Sequence, residues 1–416
     1  MGTRGDIEPF LAVAEILKER ELEVVCVFPE QFRADAENMG LRFYGFSREF
    51  LELIEGKDAK RLLGGEGSFL KRLRSWANLA RQGMKLARES VRLQHRVQMD
   101  EAPDRVIYHP KCNTAIVWGM ANPGKTIMLS PIPGMAHAVD DFAVMWGNYG
   151  RTLNRASYWL VNTIKAVAIK SFTKEFRKDY EGVDRSVSSI RRVMLETEKT
   201  LYAVSPSLFQ RPDYWPASAQ VVGYFERDKT ANWEPDEDLT AFIDRYEKIV
   251  FISFGSMRSS DPEKKTETIV NVLKKHKIPA IISTSWGGLK KIDDHPEHIL
   301  FVNNVPYDWL FPQMYAVVHH GGSGTAHSAA KYACPALVVP HAVDQPFWAR
   351  TIFELDLGPK GLPIKMLNEA EFEAGLLELD TNEGYKNKAI NLSEKIALES
   401  DRDALYNLIA GPAEGG

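Results

Sequence analysis

His319-His320-Gly321-Gly322-Ser323-Gly324-Thr325 follows the apolar run Ala316-Val-Val and precedes an alanine-rich stretch that begins near Ala326. A short apolar run that ends in glycines reads as a buried strand, and the spacing beyond it predicts a helix. The segment is therefore a strand–loop–helix step of an α/β protein. Three glycines let backbone N–H groups come close to an oxyanion, and a helix N-terminus adds partial positive charge there. Ser323 and Thr325 add hydroxyls. His320 can donate a hydrogen bond to a phosphate and gain positive charge beside it. The plain alternative is a tight strand–helix turn with no ligand.

Two other loop chemistries fail on the residues. A dinucleotide site requires Gly-x-Gly-x-x-Gly after a strand and a suitably placed acidic residue, and the chain has neither. An esterase oxyanion loop requires a Gly-x-Ser-x-Gly elbow elsewhere, which is also absent. Beyond the loop, Pro340-His-Ala-Val-Asp344-Gln345 sets a carboxylate beside an amide after another strand-like run, a pair suited to sugar hydroxyls.

The same alternation extends outward on both sides. Residues 248–254, 279–283, 299–302, 316–319 and 336–339 read as strands, with a helix ending near His276. In the first half, residues 7–20 have helical spacing and 21–28 read as a strand ending at Pro29. A further β-α step spans 30–56, and 105–108 and 125–129 read as buried strands. Residues 223–238 are polar and hold Pro235, which places a linker there. The expected organisation is a Rossmann-like domain over 1–225, a linker over 226–247, and a second Rossmann-like domain over 248–384. A helical tail over 385–416 is expected to pack back on the first domain. Ligands of such sheets bind beyond the carboxyl ends of the strands.

A chain of 416 residues suits two domains. Its composition, 44% hydrophobic and 26% charged, is that of a folded globular protein. Cys26, Cys112 and Cys334 are odd in number and far apart, which fits reduced thiols rather than a disulfide framework or metal site. No apolar run reaches the roughly 18 residues that span a bilayer, and no signal-peptide core is present. A cytoplasmic protein is the expectation. Residues 1–225 hold 32 Lys+Arg against 27 Asp+Glu, and the remainder 20 against 29. A mildly basic and an acidic half argue against nucleic acid as partner. Residues 69–97, however, hold eight Lys/Arg and only Glu89 as acid, with Phe69, Leu73, Trp76, Ala80, Met84, Ala87 and Val91 near helical spacing. Tyr158, Trp159 and Leu160 lie in a second basic stretch. Both suit helices with solvated outer faces or peripheral contact with an anionic inner membrane face.

His319 to Thr325 followed by Asp344-Gln345 resembles the donor signature of the UDP-glycosyltransferase superfamily. Within it the chain is most similar to sterol glucosyltransferases and glycopeptide-antibiotic glycosyltransferases. Gly2-Thr-Arg-Gly-Asp-Ile-Glu-Pro9, Tyr108-His-Pro-Lys111, Ser205-Pro206, Phe254-Gly-Ser-Met257, Ser285-Trp-Gly-Gly288 and residues 304–312 carry the likeness along nearly the whole chain. The resemblance implies a GT-B fold, two Rossmann-like domains facing across a cleft. It implies an inverting, metal-independent transfer of a hexose, glucose from UDP-glucose, to a hydroxyl of a hydrophobic sterol-like or polycyclic acceptor. No cofactor or metal is expected, and the protein is expected to be a monomer.

By the same resemblance His320, Gly322, Ser323, Gly324 and Thr325 would hold the pyrophosphate, with Ser256 facing them. Trp286 and the backbone of Val305 would hold the uracil, although core packing is an equal role for Trp286. Asp344 and Gln345 would grip the sugar. Thr3 and Arg4 belong to the same donor set, and Asp6 would be the base that takes the acceptor proton. Asp6 also suits the N-cap of a helix starting near Ile7. Relatives have an apolar strand before the matching loop where this chain has only Met1, so a natural start upstream is expected. One departure stands out: His341-Ala-Val replaces the Phe-Phe-Gly type of sequence before Asp-Gln. The competing readings are a transferase for polar natural products, a nucleotide-sugar epimerase of the same fold, and a non-catalytic nucleotide-sugar-binding module.

Overall fold

The structure, a computed structural model, describes residues 4–46, 69–112, 114–144, 147–230, 233–255 and 261–411, without the side chains of 69–81 and 286. Helix α1 (Arg4–Lys18) leads to strand β1 (Val25–Pro29), α2 (Arg33–Asn38) and β2 (Arg42–Phe46). β1 and β2 pair in parallel, Val25 opposite Arg42. Next come α3 (Phe69–Glu101), β3 (Val106–Tyr108), α4 (Thr114–Ala121) and β4 (Thr126–Ser130). They are followed by α5 (Arg151–Phe172), α6 (Val187–Arg192), β5 (Lys199–Tyr202) and β6 (Ala219–Val221). Strands β3 to β6 form a second parallel sheet in chain order, and no strand joins β1 to β3 among the described residues. Helix α1 packs against both sheets. Phe10, Val13 and Ile16 meet Ile127, Leu129 and Leu201, while Ile7, Leu11 and Ala14 meet Cys26 and Phe32.

The second half opens with α7 (Glu237–Arg245), whose N-terminus is capped by the Asp236 side chain accepting from Leu239 N–H. Then follow β7 (Val250–Ser253), α8 (Pro262–His276), β8 (Ala280–Ser283), β9 (Ile299–Val302) and α9 (Tyr307–Leu310). β10 (Ala316–His319), α10 (Ser323–Lys331), β11 (Ala336–Val338) and α11 (Gln345–Glu354) complete the sheet layer. These strands are parallel, in the order β11-β10-β7-β8-β9. Their runs of Val, Ile and Ala are buried on both faces, as a helix-covered parallel sheet requires. The strand order reverses between β7 and β10, and a crevice opens beyond the carboxyl ends of that pair. The glycine loop after β10 and the loop after β7 flank it.

Helices α12 (Glu369–Thr381), α13 (Glu383–Glu399) and α14 (Arg402–Ala410) end the description. α13 sets Ala389 and Ile396 into a cluster shared by Tyr202, Trp215, Ala326 and Trp348, which joins the two halves. α14 returns to the first half, where Leu405 and Ile409 pack with Phe10 and Val13.

Several boundaries differ from the sequence expectation. β1 starts at Val25 rather than residue 21, because Glu21 has φ of 61° and the backbone is still turning there. α1 begins at Arg4, so Asp6 sits inside the first turn and not at an N-cap. α10 begins at Ser323, three residues before the expected start: Gly321, at φ 86°, makes the whole turn within one residue. The short strands β5 and β6 were not foreseen.

Candidate active site

Helix α10 starts with its N-terminus uncapped by any side chain, and Gly322 is its extended N-cap residue. The first N–H groups of such a helix point at whatever occupies the crevice. His320 stands before them. A Cβ on Gly255 would lie 2.8 Å from His320 Cε1, and one on Gly322 would lie 2.5 Å from Nε2. The ring is therefore packed between two glycines from the loops after β7 and β10. Its Nδ1 is buried with no partner among the described residues. Burial, with His341 adding repulsion, pushes His320 down to about 3. Burial thus favours the neutral ring, which can still donate a hydrogen bond. His319 is turned inward: its Nδ1 accepts from Gly321 N–H at 3.0 Å, which holds the loop's shape.

The remaining donor candidates surround this point. Thr325 lies at the Tyr307 hydroxyl, and the Arg4 charge also reaches Tyr307. Arg4 itself is bound to Glu8 at 2.7 Å and Asp35 at 3.3 Å. Ser323 Oγ donates to Pro131 O of the first half at 2.9 Å. Gly324 O accepts from the Tyr224 hydroxyl at 3.3 Å. Val305 is partly buried against the cluster of Phe251 and Phe311. Residue 286 lies in a short turn at Ser285–Gly287; the Trp286 side chain, Thr3 and Ser256 fall outside the described residues.

Asp344 and Gln345 begin α11. Val343 before them has φ of 57°, a conformation that a β-branched residue adopts only under strain. That turn sets the Asp344 carboxylate, whose Oδ2 accepts from Trp348 Nε1 at 3.0 Å. Gln345 is buried, and its Oε1 accepts from the His341 and Ala342 N–H groups at 2.7 and 3.0 Å. Its oxygen thus shapes the loop, leaving Asp344 as the carboxylate that faces the crevice. His341 donates from Nδ1 to Val339 O at 2.9 Å and meets Phe254 edge-on, while its buried Nε2 has no partner among the described residues.

Asp6 approaches from the other half. Lys111 Nζ contacts both of its oxygens, at 3.0 and 2.9 Å, and His109 Nε2 lies 3.2 Å from Oδ1 without a well-aligned hydrogen bond. His109 Nδ1 accepts from Lys111 N–H at 3.1 Å, so its proton sits on Nε2, toward Asp6. Burial opposes the Asp6 charge, yet the His109 ring and Lys111 ammonium outweigh it and hold the carboxyl far below its ordinary range. Asp344 is pushed up to about 6, mainly by burial, and it feels the charges of both Asp6 and Lys111. Ser323 Oγ on Pro131 O ties the N-terminus of α10 to the first half, and the charges of Asp6 and Lys111 are felt at Asp344.

Sequence reasoning gave no role to His109, Lys111, Pro131 or His327. The first two were visible in Tyr108-His-Pro-Lys111, just beyond the carboxyl end of a predicted strand. His327 donates from Nδ1 to Ser323 O at 2.7 Å, and its Nε2 accepts Ser205 N–H at 3.0 Å. It thus ties α10 to the first half. Among the described residues no three His, Cys, Asp or Glu side chains gather at metal-binding distance.

Comparison with known proteins agrees with this architecture. Residues 1–95 match the glycosyltransferase family 28 N-terminal domain, and residues 275–402 match the erythromycin biosynthesis protein CIII-like C-terminal domain. The chain has the GT-B glycosyltransferase fold. It is 30% identical over 423 residues to a sterol 3-beta-glucosyltransferase of Arabidopsis thaliana, covering 95% of this chain and 61% of that protein. It is 26% identical to a sterol 3-beta-glucosyltransferase of Saccharomyces cerevisiae (strain YJM789), covering 98% and 34%. The chain thus spans about three fifths or less of the length of these relatives. Among solved structures it is similar to the calicheamicin glycosyltransferase CalG4, with a TM-score of 0.69 and 16% identity over 99% of this chain and 97% of the other. The glycosyltransferase of kitacinnamycin gives the same TM-score, covering 98% and 96%. At that identity the structural likeness speaks to the GT-B fold alone.

Proposed function

We propose that this chain is a glycosyltransferase that transfers a hexose, glucose from UDP-glucose, to a hydroxyl of a hydrophobic sterol-like or polycyclic acceptor, with inversion and without a metal. The acceptor oxygen attacks the anomeric carbon, its proton passes to Asp6, and UDP departs toward the α10 N-terminus. Negative charge growing on the diphosphate is met by helix N–H groups and the neutral His320 donor. Asp344, opposite, takes sugar hydroxyls. The observation that carries this reading is Asp6, held by Lys111 and His109, in a first half to which the uncapped N-terminus of α10 is tied by Ser323 Oγ on Pro131 O. The names of the sterol glucosyltransferase relatives favour an apolar acceptor.

The test is UDP release from UDP-glucose with and without a sterol and phenol acceptor set, beside calorimetric UDP binding. Acceptor-dependent release is expected. It should fall by about 10²–10⁴-fold in Asp6→Asn, the usual worth of a general base, with UDP affinity unchanged. UDP binding without stimulated release would instead favour a nucleotide-sugar-binding module. Asp6→Asn with wild-type turnover would remove Asp6 from the mechanism.

A further inference from the structure

The outward face of α5 is apolar. Leu153, Leu160, Ile164 and Val167 are 62, 54, 58 and 52% exposed. At 3.6 residues per turn they fall in one narrow sector, opposite the buried Tyr158, Asn162, Ala166 and Ile169. Trp159, 57% exposed, flanks the stripe under the Arg191 guanidinium, 5.3 Å from the ring centre. Surface helices normally turn charge to water, and a contiguous apolar outer stripe marks a face that meets another apolar phase.

Charge indicates what that phase is. Residues 151–172 contain Arg151, Arg155, Lys165 and Lys170 but no Asp or Glu, and residues 173–192 hold Lys174, Arg177, Lys178, Arg185, Arg191 and Arg192 against Glu175, Asp179, Glu181 and Asp184. Glu175 among them is paired with Arg92 at 2.9 Å. Arg151 and Arg155 are matched by Asp140. The positive excess therefore gathers at the C-terminal end of the helix, around Lys170 and Lys174. The inner face of α5 meanwhile reaches toward the reacting end of the site. Lys165 Nζ donates to Met135 O at 2.7 Å; burial, with the Lys111 charge added, pushes its ammonium down to about 8. Lys111 is the residue that holds Asp6.

We infer that α5 is a docking helix for an anionic phospholipid bilayer, its leucine–isoleucine–valine stripe among the acyl chains and Lys170 and Lys174 at the headgroups. Docked in this way, the protein takes up an apolar acceptor from lipid beside Asp6. Of the two basic stretches that suit such contact by sequence, this is the second and not the one over 69–97. The side chains of 69–81 lie outside the described residues, and Leu86, Val91 and Val97 of α3 are buried. The advantage for acceptor uptake rests on the transferase reading; docking does not, and vesicles without acceptor or donor test it alone.

The full chain is sedimented with phosphatidylcholine vesicles and with vesicles holding about 30 mol% phosphatidylserine. Wild type is expected on the anionic vesicles, and its partitioning should weaken as salt rises. Leu160→Glu/Ile164→Glu should lower partitioning by roughly ten-fold or more, from the loss of two apolar anchors. Lys170→Glu/Lys174→Glu should reduce binding to anionic vesicles and leave the weak neutral-vesicle binding as it was. Melting temperature and UDP affinity should stay at wild-type values in both, since these side chains face water. Wild-type partitioning by the Leu160→Glu/Ile164→Glu variant overturns the inference, as does a wild-type chain that sediments with neither vesicle. A lipid-free dimer that the same variant dissociates would give the face to a second copy and overturn it too.

Discussion

In Lys111→Met the ammonium that bridges both Asp6 oxygens is gone, while His109 stays. The Asp6 proton affinity must then rise, because one of the causes that lower it has been removed. The acid limb of the pH–rate profile, which reports the base, should move to higher pH. Rates at neutral pH and UDP affinity distinguish this shift from simple disruption of the loop. An acid limb that stays in place would mean that Asp6 is not the group titrating in it. At this scale the sequence was only partly informative. Asp6, Asp344 and His320 were readable by type and by their loops, but nothing in a linear pattern says that Lys111 and His109 close on Asp6. Residues 105 positions apart meet only because β3 and α1 deliver them to the same end of the first half. Nor does Asp344-Gln345 reveal that the amide oxygen is turned inward onto the His341 and Ala342 N–H groups.

Among the elements, the β10–α10 step packs Gly322 closely against the His320 ring. Gly322 has an ordinary negative φ, so an alanine there meets no backbone strain, only the His320 ring at 2.5 Å. Gly322→Ala should displace that ring and weaken UDP binding about ten-fold, on the order of one charge-free hydrogen bond. In a His320→Ala background the same alanine should cost little. Calorimetry on the four proteins of this cycle gives the coupling, and strict additivity would show that ring and glycine act separately. This step was the most legible part of the chain, because three closely spaced glycines beside an apolar run leave few backbone solutions. The β5 and β6 strands were not legible. Lys-Thr-Leu-Tyr and Ala-Gln-Val hold too few consecutive apolar residues to read as buried runs.

For the whole molecule, pH dependence follows from what is buried. His137, His327 and His341 are pushed down to about 4, and His319 and His320 to about 3, in each case chiefly by burial. The unfolded chain protonates these rings near pH 6.5, where the folded one does not. Stability should therefore fall as pH drops below about 6.5 and continue falling to about pH 4 and below. Glu198 works the other way. Burial raises it to about 7, so the stability it contributes is complete below about pH 4.5 and is lost as pH rises through 7. Melting temperature scanned from pH 4 to 8 should show the histidine loss on the acid side. Glu198→Gln should raise the melting temperature at pH 8 relative to wild type and have little effect at pH 4.5. A flat acid side in the scan would mean that these rings bind protons as readily in the folded chain as in the unfolded one.

The return of α14 to α1 has a consequence for how the protein is made. The core around Phe10 and Val13 lacks Leu405 and Ile409 until the ribosome has passed them. The last strand of the first half ends at Val221, so at about 5–20 residues per second some ten to forty seconds of further synthesis separate it from the last core side chains of that half. The nascent first half must wait through that interval with a wedge of its interior open to water. It is therefore the younger part of the polypeptide that completes the older one.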